Sequence, residues 1–168
     1  MPKDSYNPPM LLAILTISDR CFRGEMVDTA GPAVAEILLR EWPDADIRAS
    51  LRPDDEDAIA TELRRLCAEG ATLVLTAGGT GLGPRDRTPE ATRRVIDREA
   101  PGLAEAMRAE GAKSNRFAWL SRGVAGLRGS TLIVNLPGSK RGAEESLTAI
   151  LPLLKHGVEV AAGGQQHP

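Results

Sequence analysis

Histidine, cysteine and aromatic residues are all scarce in this chain, and each shortage closes off a class of function. The only histidines are His156 and His167, too few to supply a zinc centre or a Ser-His-Asp triad. Cys21 and Cys67 stand far apart, match no metal-ligand spacing and read as reduced thiols. The aromatics Tyr6, Phe22, Trp42, Phe117 and Trp119 are too sparse for a base-stacking platform. No block of like charge breaks a formal net charge of −2, so neither a nucleic acid nor a membrane surface is an expected partner. The apolar stretch Met10–Ile17 is too short to span a bilayer, and no secretory leader is visible. A cytoplasmic location is the expectation.

What remains is an ordinary soluble composition, 42% hydrophobic and 26% charged, with 168 residues to build one core. The polar, proline-bearing Met1–Pro9 reads as a flexible arm, residues 10–160 as a single domain, and Ala161–Pro168 as a tail. Leu11–Ile17 has the continuous apolar pattern of a strand buried on both faces. It ends in Ser18-Asp19-Arg20 and an irregular loop to Asp28. Thr29 is placed to cap a helix that ends near Trp42-Pro43. A second strand, Ile47–Leu51, stops at Pro53, and Asp54 is placed to cap the next helix, with Ile59, Leu63 and Leu66 as its buried stripe. Leu73–Thr76 is the third strand. Three strand–helix units in succession imply a parallel sheet.

The third unit is the most informative. Gly78-Gly79-Thr80-Gly81-Leu82-Gly83-Pro84 has the composition of neither a strand nor a helix interior. It makes a bare backbone loop whose amide groups can approach an anion. Thr88-Pro89-Glu90 then opens a helix to about Glu99, with a hydroxyl cap and proline at its first position. Strand, glycine loop and helix in that order form a phosphate-binding arrangement, and Arg85, Asp86 and Arg87 suit a highly charged ligand with metal ions. Neither the P-loop nor the dinucleotide spacing is present, since Pro84 follows Gly83 where a P-loop has lysine. A tight structural turn is the plainer reading of the same glycines.

Further on, Leu103–Glu110 reads as a short helix. Gly123–Leu127 and Thr131–Asn135 read as strands joined at Arg128-Gly129-Ser130, an antiparallel element at one sheet edge. Leu136-Pro137-Gly138-Ser139 is a second strand-end loop, feeding a helix that Pro152 breaks or restarts. Ligands of parallel sheets bind outside the carboxyl ends of the strands, and Ser18–Arg20, Pro53–Asp55, Ala77–Arg87 and Asn135–Ser139 all belong there. The expected fold is a three-layer α/β sandwich, a mostly parallel sheet with that antiparallel edge and helices on both faces.

TAGGTGLGPRDRTPE, the TISDR ending the first strand, the RPDD after the second and LSRGVAGLRGSTLIVNLPG together resemble the molybdopterin adenylyltransferase family. This is the MogA/MoaB-like group, which includes the G domains of gephyrin and its plant counterpart. The stretch from Phe117 to Gly138, with Leu153–His156, looks closer to the adenylylating members than to the MoaB-type ones. The resemblance implies a homotrimer that uses Mg²⁺, joins the terminal phosphate of molybdopterin to the α-phosphate of ATP, releases pyrophosphate and passes its product to a molybdenum insertase. It assigns Asp54 and Asp86 to catalysis and metal, and Gly78, Gly79, Thr80 and Gly81 to the phosphate loop. It assigns Ser121 to molybdopterin, and Ser18, Asp19, Arg20, Asn135, Pro137 and Gly138 to the remaining substrate contacts.

Local readings compete with these roles. Asp54 serves equally as a helix cap, Asp86 as a turn residue or ion-pair partner of Arg85 or Arg87, Ser121 as a turn serine, and Asp19–Arg20 as a structural pair. Ser139-Lys140-Arg141 departs from the proline-containing segment with shorter side chains that many relatives have after the Pro-Gly. A non-catalytic MoaB-like paralogue that binds pterin or acts as a scaffold is the alternative function, and a competence-damage-type protein with another ligand is a second.

Overall fold

A computed structural model describes residues 9–164. Most of the expected arm Met1–Pro9, and the tail beyond residue 164, lie outside the described residues. Six strands form one sheet in the order β2-β1-β3-β6-β5-β4. They are β1 (Leu11–Ile17), β2 (Asp46–Arg52), β3 (Leu73–Ala77), β4 (Arg98–Glu99), β5 (Ala125–Arg128) and β6 (Thr131–Leu136). β1 runs parallel to β2 and β3, and β3 parallel to β6, while β5 and β4 add antiparallel at one edge. The helices are α1 (Asp19–Phe22), α2 (Ala30–Glu41), α3 (Glu56–Ala68), α4 (Thr88–Arg93), α5 (Pro101–Ala112) and α6 (Lys140–Ala161), with a 3-10 turn at Arg116–Leu120.

Every residue of β1 is buried, because helices cover both faces of the sheet. Leu12 and Ile14 point into one core with Val34 and Leu38 of α2, Met107 of α5, and Leu147, Ile150 and Leu154 of α6. Their neighbours Leu11, Ala13, Leu15 and Ile17 point into the other, against Ile59, Leu63 and Leu66 of α3 and Ala91 of α4. The period-2 alternation of a strand thus divides one apolar run between two layers. The expected three-layer α/β architecture is the one observed.

Four details differ from the sequence reading. The loop after β1 contains one helical turn, α1, capped by Ser18 Oγ, which accepts from Cys21 N at 3.2 Å. Thr29 makes no capping hydrogen bond; Asp28 Oδ1 takes the Gly31 N–H instead, at 3.0 Å. The helix expected from Pro89 to Glu99 stops at Arg93, and Arg98–Glu99 joins the sheet as β4. Pro152 does not break α6, which runs unbroken through it. Pro152 and Thr148, whose carbonyl it leaves without a helical donor, are both exposed residues, while Ile150 and Leu154 keep the opposite side buried.

Glu62 of α3 fastens β2 to the layer beneath it. Its carboxylate is 2% exposed and accepts from Arg52 Nη2 at 2.8 Å and Arg65 Nη2 at 2.6 Å. Hydrogen bonding from Arg65 holds this carboxyl below the usual glutamate range, outweighing the opposite push of burial. A depressed carboxylate contributes stability above its unfolded pKa and loses that contribution as pH falls through its folded one. Glu62→Gln should therefore cost about 1–3 kcal/mol at neutral pH, and the difference should vanish in acid. Urea unfolding across that range checks this; a pH-independent difference would contradict it.

Candidate functional site

Register brings the loops together. Ile17 pairs with Arg52, Thr16 with Ala77, and Ala77 with Leu136, so β1, β2, β3 and β6 end at one level. Ser18, Pro53, Gly78 and Pro137 each follow directly, and all four loops leave from a single rim. Two cavities open there. One, of about 190 Å³, is lined by residues including Thr16, Ser18, Asp28, Asp54, Gly78, Gly79, Asp86 and Gly138. The other, of about 200 Å³, is lined by Met107, Arg108, Phe117, Ser121, Pro137 and Ser139 among others. The segment Pro137-Gly138-Ser139 is their common wall.

Gly78 and Gly79 of the glycine loop form the floor of the first. Gly78 has φ +114°, and a Cβ there would stand 2.2 Å from the Ile17 carbonyl oxygen, so only glycine fits. A Cβ on Gly138 would stand 3.1 Å from Gly78 Cα, which keeps the two loops in close contact. The loop carbonyls are turned back into the protein. Thr88 Oγ1 donates to Gly78 O at 2.8 Å and Thr88 N to Gly79 O at 3.1 Å. Arg122 N donates to Thr80 O at 2.8 Å and Arg122 Nε to Gly81 O at 2.7 Å. Among the described residues, the N–H groups of Gly79, Thr80 and Gly81 donate to no protein acceptor. Three consecutive free amides with their carbonyls tied behind them make a concavity suited to an anion.

Asp54 and Asp86 face this floor from opposite sides. Asp54 Oδ2 accepts from Asp19 N at 2.9 Å, and Asp19 Oδ1 accepts from Asp54 N at 3.0 Å, a reciprocal pair that joins the first two loops. Asp86 Oδ2 accepts from Gly83 N at 2.9 Å. Among the described residues Asp54 and Asp86 each keep an Oδ1 without a protein donor. Burial pushes the Asp54 carboxyl up, and the nearby charges of Asp19 and Asp86 push the same way. Arg85 grips Asp19 at 2.8 Å and holds that carboxyl below the usual range. A divalent cation between Asp54 and Asp86 would relieve this crowding. Among the described residues no cage of three or more His, Cys, Asp or Glu side chains exists, and Mg²⁺ needs few protein oxygens when phosphates supply the rest.

The second cavity has a different character. Ser121 lines it with Phe117, Ala118 and Met107. Ser121 Oγ accepts from Gly123 N at 3.3 Å, while Arg108 Nη1 donates to the carbonyls of Ser121 and Gly123 at 3.3 and 3.1 Å. Asn135 borders the cavity, yet its side chain is committed inside the protein. Its amide donates to Thr76 Oγ1 at 3.0 Å and Thr92 Oγ1 at 2.9 Å, and its Oδ1 accepts from Val124 N at 3.1 Å.

Several residues have local roles other than those expected. Asp54 is not the cap of α3; Asp55 is, accepting from Ala58 N at 2.8 Å. Thr88 does not cap α4 either, because it stands inside the helix and turns its hydroxyl to Gly78. Asp19 pairs with Arg85 and not with Arg20, which is exposed, and Arg87 pairs with Glu56. Ser139 caps α6, accepting from Gly142 N at 3.1 Å, and Arg141 pairs with Glu145 at 2.6 Å. Two residues of the site escaped the sequence reading. Asp28 clamps Thr16 Oγ1 at 2.6 Å at the cleft edge. Arg122 grips the glycine loop from behind, and nothing in its local pattern marks it.

The fold and this rim define an α/β protein with a glycine loop and a group of carboxylates at the carboxyl ends of its parallel strands. The sequence model of the family described as "Probable molybdopterin binding domain" matches residues 13–156, and the chain belongs to that family. It is 36% identical over 154 residues to a molybdopterin adenylyltransferase of Helicobacter pylori strain J99, covering 90% of this chain and 88% of that one. It is 40% identical over 148 residues to the molybdenum cofactor synthesis protein cinnamon of Drosophila melanogaster, covering 88% of this chain but 25% of that longer protein. A solved structure of the molybdopterin biosynthesis enzyme MoaB from Thermus thermophilus is 51% identical, with a TM-score of 0.85, over 94% of this chain and 99% of that one.

The adjacent aspartates separate cap from cleft. Asp55→Ala should lower stability by roughly 0.5–2 kcal/mol through loss of the cap. Asp54→Asn keeps an acceptor for Asp19 N–H and removes a crowded charge. The raised pKa of Asp54 means its ionisation opposes folding above that pKa and has no effect well below its unfolded value. Without divalent cations, Asp54→Asn should therefore melt above wild type at neutral pH, with the gain disappearing in acid. Thermal unfolding at several pH values reads both; a lower melting point for Asp54→Asn at neutral pH would contradict the assignment.

Proposed function

We propose that this chain is a molybdopterin adenylyltransferase of molybdenum cofactor biosynthesis. The observation that carries the reading is the junction of the two cavities at Pro137–Ser139, beside free loop amides and two aspartates. ATP fits the cleft of Gly78–Gly81, Asp54 and Asp86, with its phosphates on the amides. Molybdopterin fits the Ser121 cavity, its terminal phosphate directed toward that junction. The reaction breaks the bond between the α-phosphorus and the α,β-bridging oxygen, forms a bond from the molybdopterin phosphate oxygen to the α-phosphorus, and releases pyrophosphate.

The attacking phosphate is already an anion, so no general base is required. The protein's task is to hold two anions in line and to neutralise charge. Asp54 and Asp86 would hold Mg²⁺, which supplies charge neutralisation at the phosphates when bound. The loop amides of Gly79, Thr80 and Gly81 orient the phosphate oxygens. Asp19, Arg85 and Ser18 hold Asp54 and the first loop in place. Ser121 orients molybdopterin from the other side.

A homotrimer in the cytoplasm completes this reading. Phe117, Trp119 and Leu120 stand 64%, 58% and 50% exposed on one short turn, the kind of apolar patch a subunit contact covers. No helix among the described residues is long and apolar enough to cross a membrane. Relatives in which a similar stretch is part of a longer bifunctional protein support a molybdenum insertase as the partner that takes the product. The 51% identity to a MoaB chain favours one second reading, a paralogue that binds pterin without the transfer.

Single-turnover mixing with Mg-ATP and molybdopterin distinguishes them: adenylylated molybdopterin and pyrophosphate should form in equal amounts, and their absence would leave the paralogue. Asp86→Asn should abolish transfer while molybdopterin binding persists, since it removes charge from the cleft and keeps the Gly83 N–H acceptor. Ser121→Ala should weaken use of molybdopterin and leave Mg-ATP affinity and melting nearly unchanged. Near wild-type turnover of Asp86→Asn at saturating Mg²⁺ would remove that residue from the mechanism. Sedimentation equilibrium should give a trimer mass at micromolar concentration, and a monomer mass would sink the assembly.

A further inference from the structure

We propose that Arg122 is a positioning residue for adenylyl transfer: it sets the polarity of the glycine loop by holding the loop's carbonyls away from the nucleotide. The proposal rests on the adenylyltransferase reading and concerns a residue that lines neither of the two cavities.

Arg122 directs three donor groups at one loop and a fourth at the helix that follows it. Its backbone N–H donates to Thr80 O at 2.8 Å, Nε to Gly81 O at 2.7 Å and Nη2 to Asp86 O at 2.6 Å. Nη1 meets the carboxylate of Glu90 in the helix that follows, and the arginine side chain is 32% exposed. The loop is rich in glycine, and its Gly81–Pro84 stretch has little side-chain mass to hold it. A peptide unit there can rotate and exchange an outward N–H for an outward C=O at small steric cost. An outward carbonyl would set a negative dipole against a phosphate, the reverse of what the cleft requires. Only a planar fork can reach two carbonyls and a carboxylate at once, so lysine is not an equivalent.

The position of Arg122 also connects the two cavities. Ser121, beside it, lines the second cavity, and Arg108 fixes the carbonyls of Ser121 and Gly123 on either side. Through Asp86 O, the same side chain that sets the amides also fixes the backbone of the aspartate assigned to the cation. Arg122 thereby aligns nucleotide loop and aspartate against the molybdopterin side as a unit.

The test compares wild type with Arg122→Lys, and with Arg122→Ala in the presence and absence of guanidinium ion. Affinity for Mg²⁺ with a non-hydrolysable ATP analogue should fall on the order of tenfold to a hundredfold in Arg122→Lys, and kcat should fall similarly. KM for molybdopterin should stay within about twofold, a split that general loss of structure would not produce. Amide exchange at Asp86 and Thr88, whose N–H groups bond inside the loop, should speed up on the order of tenfold while the β3 and β6 amides stay unchanged. Guanidinium should restore part of the turnover of Arg122→Ala. Wild-type nucleotide affinity in Arg122→Lys, or a parallel loss of molybdopterin and nucleotide use, would overturn the proposal. Should wild type itself form no adenylylated product, the adenylyltransferase reading fails, and the exchange at Asp86 and Thr88 still decides whether Arg122 sets the loop.

Discussion

The buried side-chain amide of Asn135 is the tie on which the rim depends. It is 1% exposed and joins β6 to Thr76 at the end of β3, to Thr92 of α4 and to the Val124 amide that leads into β5. Those partners flank the glycine loop on both sides and hold the segment that carries Ser121 and Arg122. A buried polar node is favourable only when every donor and acceptor is met, and here each amide hydrogen and the carbonyl oxygen have named partners. The Ser121 cavity and the glycine loop are therefore referenced to one side chain. Asn135 acts on the site by holding its walls, which explains why asparagine stands where a hydrophobic residue would otherwise continue the strand.

Charge at the rim follows the same economy of contacts. Asp54 and Asp86 line one cleft with Asp28, Asp19 stands beside Asp54, and among these four carboxylates only Asp19 is neutralised directly, by Arg85. The remaining arginines near the loop are turned elsewhere: Arg87 and Arg94 to Glu56, Arg122 to Glu90 and the loop carbonyls. Positive potential toward a phosphate would therefore come chiefly from backbone amides, and a cation held between Asp54 and Asp86 would add to it. This division suits phosphoryl chemistry, in which fixed dipoles and metal charge serve a transition state spread over several oxygens.

Much of this was legible in the sequence, for definite reasons. The apolar run of β1 and the composition of Gly78–Pro84 each admit few conformations, so strand, loop and rim could be read directly. The Arg128-Gly129-Ser130 turn likewise marked the antiparallel edge. Helix phase was not legible. Asp54 and Asp55 are chemically alike, and only the chain's path past Pro53 decides which carboxylate reaches Ala58 N and which reaches Asp19 N. Thr29 and Thr88 had the chemistry of caps, but Asp28 and the Gly78 carbonyl offered better partners. Pro152 depended on which side of α6 meets solvent. Arg122 was hidden because its partners are backbone carbonyls about forty residues away, which leave no mark on local pattern.

The central claim is that nucleotide phosphates lie on the amides of Gly79, Thr80 and Gly81, with the loop carbonyls facing away. A crystal structure with Mg²⁺ and an ATP analogue that cannot be cleaved between its α- and β-phosphates tests it most directly. Phosphate oxygens should lie about 2.7–3.2 Å from those three nitrogens, with Asp54 and Asp86 on the cation and the Arg122 contacts to Gly81 and Asp86 retained. Phosphates bound away from the loop, or a loop with its carbonyls turned toward the ligand, would contradict the account.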